Sequence, residues 1–266
     1  MKKTFSIVLL LAMLVSLLSF SGCSTTNSED INYVKNKGAL VIGVIDAKPL
    51  TYQNEYDEWE GFAVDLGKAF AKELGVEAVF REIEWAEMDE LLADKTIDCV
   101  SSALTITNAR KEKMALTAPY MTNAQIAVMK SSVARRYSSA EECLQLRFAV
   151  LDGSTHEALA KENGFLRFAA NTTEEALQAV SDGTADAAIL NSTTANEMIG
   201  KGNQFDDLSR AFDLKKNKFG FGFRKDSGLA NAMNDFFVTT YTSGKMKTLA
   251  KKYGLEKMIV EQVTEQ

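Results

Sequence analysis

Histidine is almost missing from this chain of 266 residues, since His156 is the only one. A Ser-His-Asp arrangement would have to use it, and no Gly-x-Ser-x-Gly elbow accompanies any serine. Cysteine is scarce too, with three residues, at 23, 99 and 143. One histidine and two separated cysteines make a poor metal set, and nothing in the spacing of Cys99 and Cys143 points to a disulfide, so two unpaired, buried thiols are expected. No Gly-rich phosphate loop follows a strand at the needed spacing. These gaps lead to an expectation of no catalytic residue, no metal and no cofactor. A basic stripe is lacking as well. Acidic residues outnumber basic ones by 36 to 30, a net charge of -6, which argues against nucleic acid as a partner.

Long apolar runs are confined to the start of the chain. Lys2 and Lys3 precede a nearly all-apolar stretch over 5–20, which ends at Ser21-Gly22-Cys23. That is a secretory signal pattern, too short for a spanning helix with flanks. Cysteine directly after Ser-Gly resembles a bacterial lipobox, with Phe20 where that motif usually has leucine. The expectation is a lipoprotein signal peptide over 1–22 and a lipid-anchored Cys23 on the extracytoplasmic face of the cell membrane. Ordinary secretion with a chance cysteine is the alternative. Loss of Lys2 and Lys3 with the leader takes the charge from -6 to -8. Residues 24–30 are polar and small and suit a tether, set at 23–36. The remainder, in a chain 46% hydrophobic and 25% charged overall, is ordinary globular material.

Short apolar runs then alternate with segments of helical spacing. Residues 39–45 read as a buried strand, left through the turn Asp46-Ala47-Lys48-Pro49. A helix with Leu66, Phe70, Ala71 and Leu74 inward is stopped by Gly75. A strand over 78–83, a short helix carrying Met88, Leu91 and Leu92, and a strand over 96–100 follow. After a strand over 124–129 and a polar change of register, a second series begins. It comprises a capping-box helix start at 139–142, a strand over 147–151, a helix after Gly153-Ser154-Thr155-His156, a strand over 166–169, a helix opened by Thr172, and a strand over 183–191. Lys218-Phe219-Gly220-Phe221-Gly222-Phe223-Arg224 alternates as a strand does, and two helical stretches end the chain. The pattern implies an α/β fold with parallel sheets and right-handed crossovers.

In open α/β sheets, ligands bind at the carboxyl ends of the strands. Ser101, Ser102, Thr105 and Thr107 sit on such a strand-to-helix loop. With Thr107 or Asn108 as the cap, Arg110 falls in the first turn of the following helix, where a cation opposes the dipole. Either a protein carboxylate compensates it, or a bound one gripped bidentately does so. Gly153-Ser154-Thr155 at a second helix start offers free backbone N–H groups to an anion, although it also reads as a common cap. His156 is either a solvated first-turn residue or a ligand-lining one.

Ala103-Leu104-Thr105-Ile106-Thr107-Asn108-Ala109-Arg110-Lys111, followed by Thr117-Ala118-Pro119-Tyr120, resembles the signature of the extracellular solute-binding proteins of polar amino acid ABC importers. Gly61-Phe62-x-Val64-Asp65-Leu66 and Trp85 also resemble landmarks of that family. The resemblance implies a two-lobed, type II periplasmic-binding-protein-like fold, each lobe a mainly parallel sheet flanked by helices. Lobe 1 would comprise 37–125 and 218–266, and lobe 2 would comprise 126–217. Two crossing segments, near 123–129 and 217–223, would act as the hinge. It implies Arg110 as a carboxylate clamp, Thr105 as a hydroxyl partner, Ala103 as a backbone carbonyl facing the ligand ammonium, and the turn 153–155 closing from the second lobe. Asn191 stands where relatives usually carry an aspartate that pairs that ammonium. Tyr52 can replace an aromatic missing from the short turn 46–50. Ser102 and His156 complete the candidate set.

The implied function is capture of an amino acid or related small carboxylate, lobe closure, and delivery to a membrane permease, by a protein expected to be monomeric. An exported enzyme on the same fold, such as a dehydratase, and a ligand-sensing domain are the alternatives. The enzyme would need an acid or base in the cleft, for which His156 is the one obvious candidate.

Overall fold

The computed structural model describes residues 28–263. The leader and Cys23 lie outside them. The first series runs α1 (Ser28–Lys37), β1 (Ala39–Val44), the hairpin β2 (Tyr52–Gln53) and β3 (Trp59–Glu60), α2 (Phe62–Leu74), β4 (Glu77–Glu82), α3 (Met88–Ala93), β5 (Cys99–Val100), α4 (Asn108–Lys113) and β6 (Ala115–Leu116). The second runs β7 (Met121–Lys130), β8 (Arg147–Leu151), α5 (Thr155–Glu162), β9 (Leu166–Ala170), α6 (Thr173–Asp182), β10 (Ala187–Asn191), α7 (Ser192–Met198) and β11 (Leu208–Phe219). The chain then returns through β12 (Gly222–Phe223), α8 (Leu229–Thr242) and α9 (Lys245–Lys252).

Each lobe is built on a five-stranded sheet. The first has the order β4-β1-β5-β12-β6, with β4, β1 and β5 parallel and β12 antiparallel to its neighbours. The second has the order β11-β7-β10-β8-β9, with β9, β8 and β10 parallel. The crossing strands β7 and β11 pair antiparallel over nearly their whole length, bringing Asn123 opposite Asn217 and Met121 opposite Phe219. The helices obey their sequence signals. Gly75 and Gly183 take left-handed conformations after α2 and α6, and Thr172 caps α6 by accepting from Glu175 N–H at 3.0 Å.

Beneath the first sheet, Phe62, Phe70, Tyr120, Phe221, Phe223, Phe236 and Phe237 gather with ring centroids 5.6–6.4 Å apart. Each is fully or almost fully buried, and such a side chain contributes roughly 1.5–3 kcal/mol by leaving water. Gly220 and Gly222 let this strand approach its neighbours. A Cβ at Gly222 would sit 2.6 Å from Met114 Sδ, and one at Gly220 would sit 2.9 Å from Thr117 Oγ1.

Three expectations are corrected. The alternating segment 218–224 is not one strand, because the ladder breaks between β11 and β12, where Gly220 N–H turns to Leu104 O and Phe221 N–H to Thr117 Oγ1. The capping-box start at 139–142 gives only a 3-10 turn, Glu141–Cys143, because the Glu142 carboxylate is drawn back to Ser138 N–H at 2.7 Å. Much of the expected tether is α1, fixed to the first lobe. Asp30 binds Arg224 and Ser227 there, Arg224 also reaches Asp98 at 3.0 Å, and Lys37 meets the other Asp98 oxygen at 2.6 Å. Cys99 and Cys143 are buried and free.

Candidate functional site

The parallel strands of both sheets deliver their carboxyl ends to the gap between the lobes, and the polar side chains of interest lie just past those ends. Asp46 and Ala47 follow β1, Trp85 follows β4, Ala103 and Arg110 follow β5, Ser154, Thr155 and His156 follow β8, Thr173 follows β9, and Thr194 follows β10. Together with Asn191 they line one cavity. The lobes touch beside it. The position a Gly153 Cβ would occupy lies 3.1 Å from the backbone nitrogen of Ala86 on the opposite lobe.

Arg110 is held in three ways. Thr107 caps α4 by accepting from Arg110 N–H at 3.2 Å, the guanidinium donates to Thr105 O at 2.8 Å, and it stacks 5.0 Å from the centre of the Trp85 ring. Among the described residues no carboxylate forms an ion pair with it. Burial lowers its pKa to about 10, with Asp89 opposing the fall, so the group stays charged. A half-buried arginine, with donors to spare and no ion-pair partner among the described residues, is suited to bind an anion. The loop before it is strained. Ser102 and Ala103 both take left-handed conformations, at φ 71° and 52°, and Ser102 Oγ accepts from Ile45 N–H at 3.1 Å. That bond ties the loop after β5 to the end of β1.

Thr105, Thr155, Gln125 and Asn217 knit the lobes together. Asn217 Nδ2 donates to Thr105 Oγ1 at 3.0 Å, Thr155 Oγ1 lies 3.4 Å from Thr105 Oγ1, and Gln125 Nε2 donates to Thr155 Oγ1 at 2.9 Å. Asn123 is the centre of the hinge network, with Nδ2 donating to Asn191 Oδ1 at 2.7 Å and to Asn217 Oδ1 at 2.8 Å. Asn191 therefore spends its carbonyl oxygen on the hinge.

His156 is wedged between these groups. Its Nε2 is buried and has no hydrogen-bond partner. Burial pushes its pKa down to about 4, with hydrogen bonding to Asn191 pulling the other way and the charge on Arg110 adding to the fall. The imidazole is neutral at physiological pH. No three His, Cys, Asp or Glu side chains gather into a metal-holding group among the described residues.

Of the residues singled out in the sequence, Arg110, Ala103, Ser154, Thr155, His156 and Asn191 line this cavity. The other four lie elsewhere. Thr105 and Gly153 line an adjoining crevice with Thr155 and Asn217. Ser102 is fully buried and spent on β1. Tyr52 stands in the outer mouth of the cleft, its hydroxyl 3.4 Å from a Glu60 oxygen. The Ser154 hydroxyl is a helix cap, accepting from His156 and Glu157 N–H and donating to Leu151 O. Trp85 as a platform for Arg110, and Thr173 and Thr194 as lining, carried no sequence-level assignment to the site. Counting residues past each parallel strand end would have found them.

A profile of the bacterial extracellular solute-binding proteins, family 3, matches residues 40–256. The arginine-binding extracellular protein ArtP of Bacillus subtilis (strain 168) is 28% identical over 94% of this chain and 98% of its own length. The L-cystine-binding protein TcyJ of Escherichia coli (strain K12) is 26% identical over 84% of this chain and 85% of its own. Among solved structures, an ancestral amino acid-binding protein described as a precursor of cyclohexadienyl dehydratase superposes with a TM-score of 0.76 at 30% identity, covering 84% of this chain and 98% of that one.

Proposed function

The chain belongs to the bacterial extracellular solute-binding proteins, family 3, and from that premise we propose that it captures an amino acid between its lobes and delivers it to an ABC permease. The observation that carries this reading is Arg110, half-buried, charged and without an ion-pair partner among the described residues, facing second-lobe residues Ser154, Thr155 and His156 across one cavity. In this reading the ligand carboxylate takes the guanidinium. The backbone N–H groups at the start of α5 lie on the far wall, and closure about β7 and β11 encloses the ligand and shows the permease an altered surface.

The lobe division at about 125–126 and 217–218, the cleavage before Cys23, and a lipidated Cys23 holding the protein at the extracytoplasmic face of the membrane belong to the same proposal. So does the absence of turnover. His156 is the candidate acid or base for the enzymatic alternative; it lies against Arg110 and Asn191, and Asp46 is the one carboxylate lining the same cavity among the described residues.

Titration of the purified protein with the common amino acids, followed by heat and by melting temperature, tests the reading. A ligand at a hundred times its dissociation constant adds about 2.7 kcal/mol of stability. Absence of any response across the set, or steady heat from turnover, would overturn it.

A further inference from the structure

Thr105 reads in the sequence as a hydroxyl partner of the ligand, yet it lies outside the cavity that Arg110 and His156 line together. It is buried, and its oxygen is taken by the protein. Asn217 Nδ2 donates to Thr105 Oγ1 at 3.0 Å, and the Thr155 hydroxyl donates to it at 3.4 Å. Both acceptor lone pairs of that oxygen are thereby engaged. Thr155 is held in turn by Gln125 Nε2 at 2.9 Å, and Gln125 is only 2% exposed. These four residues come from four places in the fold. Thr105 belongs to the loop after β5 in the first lobe, Thr155 opens α5 in the second, and Gln125 and Asn217 lie on the crossing strands β7 and β11. The crossing strands change sheets between them. Met121 bridges Ile259 of the first lobe and Gln125 pairs with Asn191 of the second, so the pivot falls at residues 122–124. There Asn123 stands opposite Asn217 and donates to its Oδ1 at 2.8 Å, while its own oxygen accepts from Ser192 Oγ at 3.0 Å. A path of protein hydrogen bonds thus runs from Thr105 through the pivot into the second lobe. Swinging the lobes apart parts Thr105 from Thr155 and strips buried amides of partners, so the network is either made or broken.

We propose that Thr105, Thr155, Gln125 and Asn217 form a clasp that holds the lobes shut through the protein's own hydrogen bonds, so that shutting does not require the ligand. This goes beyond the reading of Arg110 as a carboxylate site and does not depend on it. Thr105 is then a positioning residue, acting on the ligand through closure rather than by contact. Removing its oxygen breaks two neutral hydrogen bonds at once, which should shift the ratio of shut to open molecules by about tenfold or more. Ligand enters and leaves only through the open form. Because the clasp holds the shut forms with and without ligand alike, weakening it should raise the association and dissociation rates together and leave the affinity within about threefold. A direct ligand contact behaves differently, since its loss lowers affinity and leaves the empty protein as it was.

Small-angle X-ray scattering of the purified protein, stripped of ligand by unfolding and refolding, tests this. The expected wild-type profile is that of the shut structure. Thr105→Val keeps the shape of the side chain and removes the shared oxygen, so it should expand. Thr155→Val cuts the same bridge from the other lobe and should expand likewise, whereas Thr105→Ser keeps the oxygen and should stay shut. Stopped-flow titration with the tightest-binding of the common amino acids should show both rates rising about tenfold in Thr105→Val, with that amino acid drawing the expanded profile back to the shut one. A stripped wild type more open than the shut structure, or Thr105→Val and Thr155→Val scattering as the wild type does, would overturn the clasp. So would a Thr105→Val protein that loses affinity with its association rate and its scattering unaltered, because Thr105 would then be a ligand contact. The scattering of stripped protein needs no ligand, so failure of every amino acid to bind would strike the proposed function and leave the clasp to be judged on its own.

Discussion

His156 offers a clean perturbation because no other imidazole titrates in this chain. In the shut molecule burial holds it down to about 4, from an ordinary value of 6.5, with the positive charge of Arg110 helping and Asn191 resisting. In the unfolded chain, or in an open cleft that readmits water, it titrates near its ordinary value. Between pH 6.5 and about 4 the unfolded or open form therefore holds a proton that the shut form does not. Stability rises with pH across that window and is lost as pH falls. Each pH unit is about 1.4 kcal/mol, so the full window is worth about 3 kcal/mol. Carboxylates titrate in the same range, so the informative quantity is the difference between the wild type and His156→Gln. Denaturant unfolding of both proteins at intervals from pH 7 to 4 should show the wild type losing about 3 kcal/mol more than the variant. The imidazole resonance of the folded protein should titrate near pH 4. An imidazole midpoint at or above 6.5, or parallel acid profiles for the two proteins, would refute the reasoning.

The remaining predictions concern the frame. Asp98→Ala removes the fully buried carboxylate that Lys37 and Arg224 share, leaving Val41 N–H without its acceptor and Arg224 with Asp30 alone. It should cost about 1–3 kcal/mol in denaturant unfolding. Gly61→Ala places a Cβ 2.2 Å from Leu50 O at a φ of 126°, so a loss of about 3 kcal/mol or more is expected, read as a melting temperature lower by roughly 6–12 °C. Gly153→Ala forces a Cβ to 3.1 Å from the Ala86 nitrogen at a φ of +64°. Because Ala86 is on the opposite lobe, this variant should impair closure, with ligand affinity falling more than tenfold while the melting temperature of the unliganded protein changes little.

The alternation of strands and helices was written plainly in the sequence because period, caps and glycine stops agreed with one another at α2, α6 and β8. The long strand β11 was not, since Leu208–Phe219 mixes lysines and apolar residues and is interrupted by bulges near Ala211 and Leu214. Its place is set by pairing with β7, a partner far away in sequence. The helix α7 was hidden for a related reason. Ser192–Met198 begins Ser-Thr-Thr-Ala, a weak helix former whose first residues are buried against the hinge. At the site, the Thr-x-Thr-x-x-Arg spacing drew attention to Arg110 because a cation in a helix's first turn calls for an explanation. The stacking of Arg110 on Trp85 lay beyond reach, because the two belong to loops after different strands. Ser102 misled for a physical reason too, since its hydroxyl lies on the right loop but faces β1 rather than the cleft.

The central claim is that the Arg110 guanidinium holds a ligand carboxylate. The most direct measurement is a cycle in which the tightest-binding amino acid and its carboxamide are titrated into the wild type and into Arg110→Met. The account predicts that the wild type prefers the carboxylate by about a hundredfold or more, the size expected when a buried charge pair loses one partner, and that Arg110→Met binds both weakly with little preference between them. An Arg110→Met protein that folds, keeps its affinity and still prefers the carboxylate would contradict it.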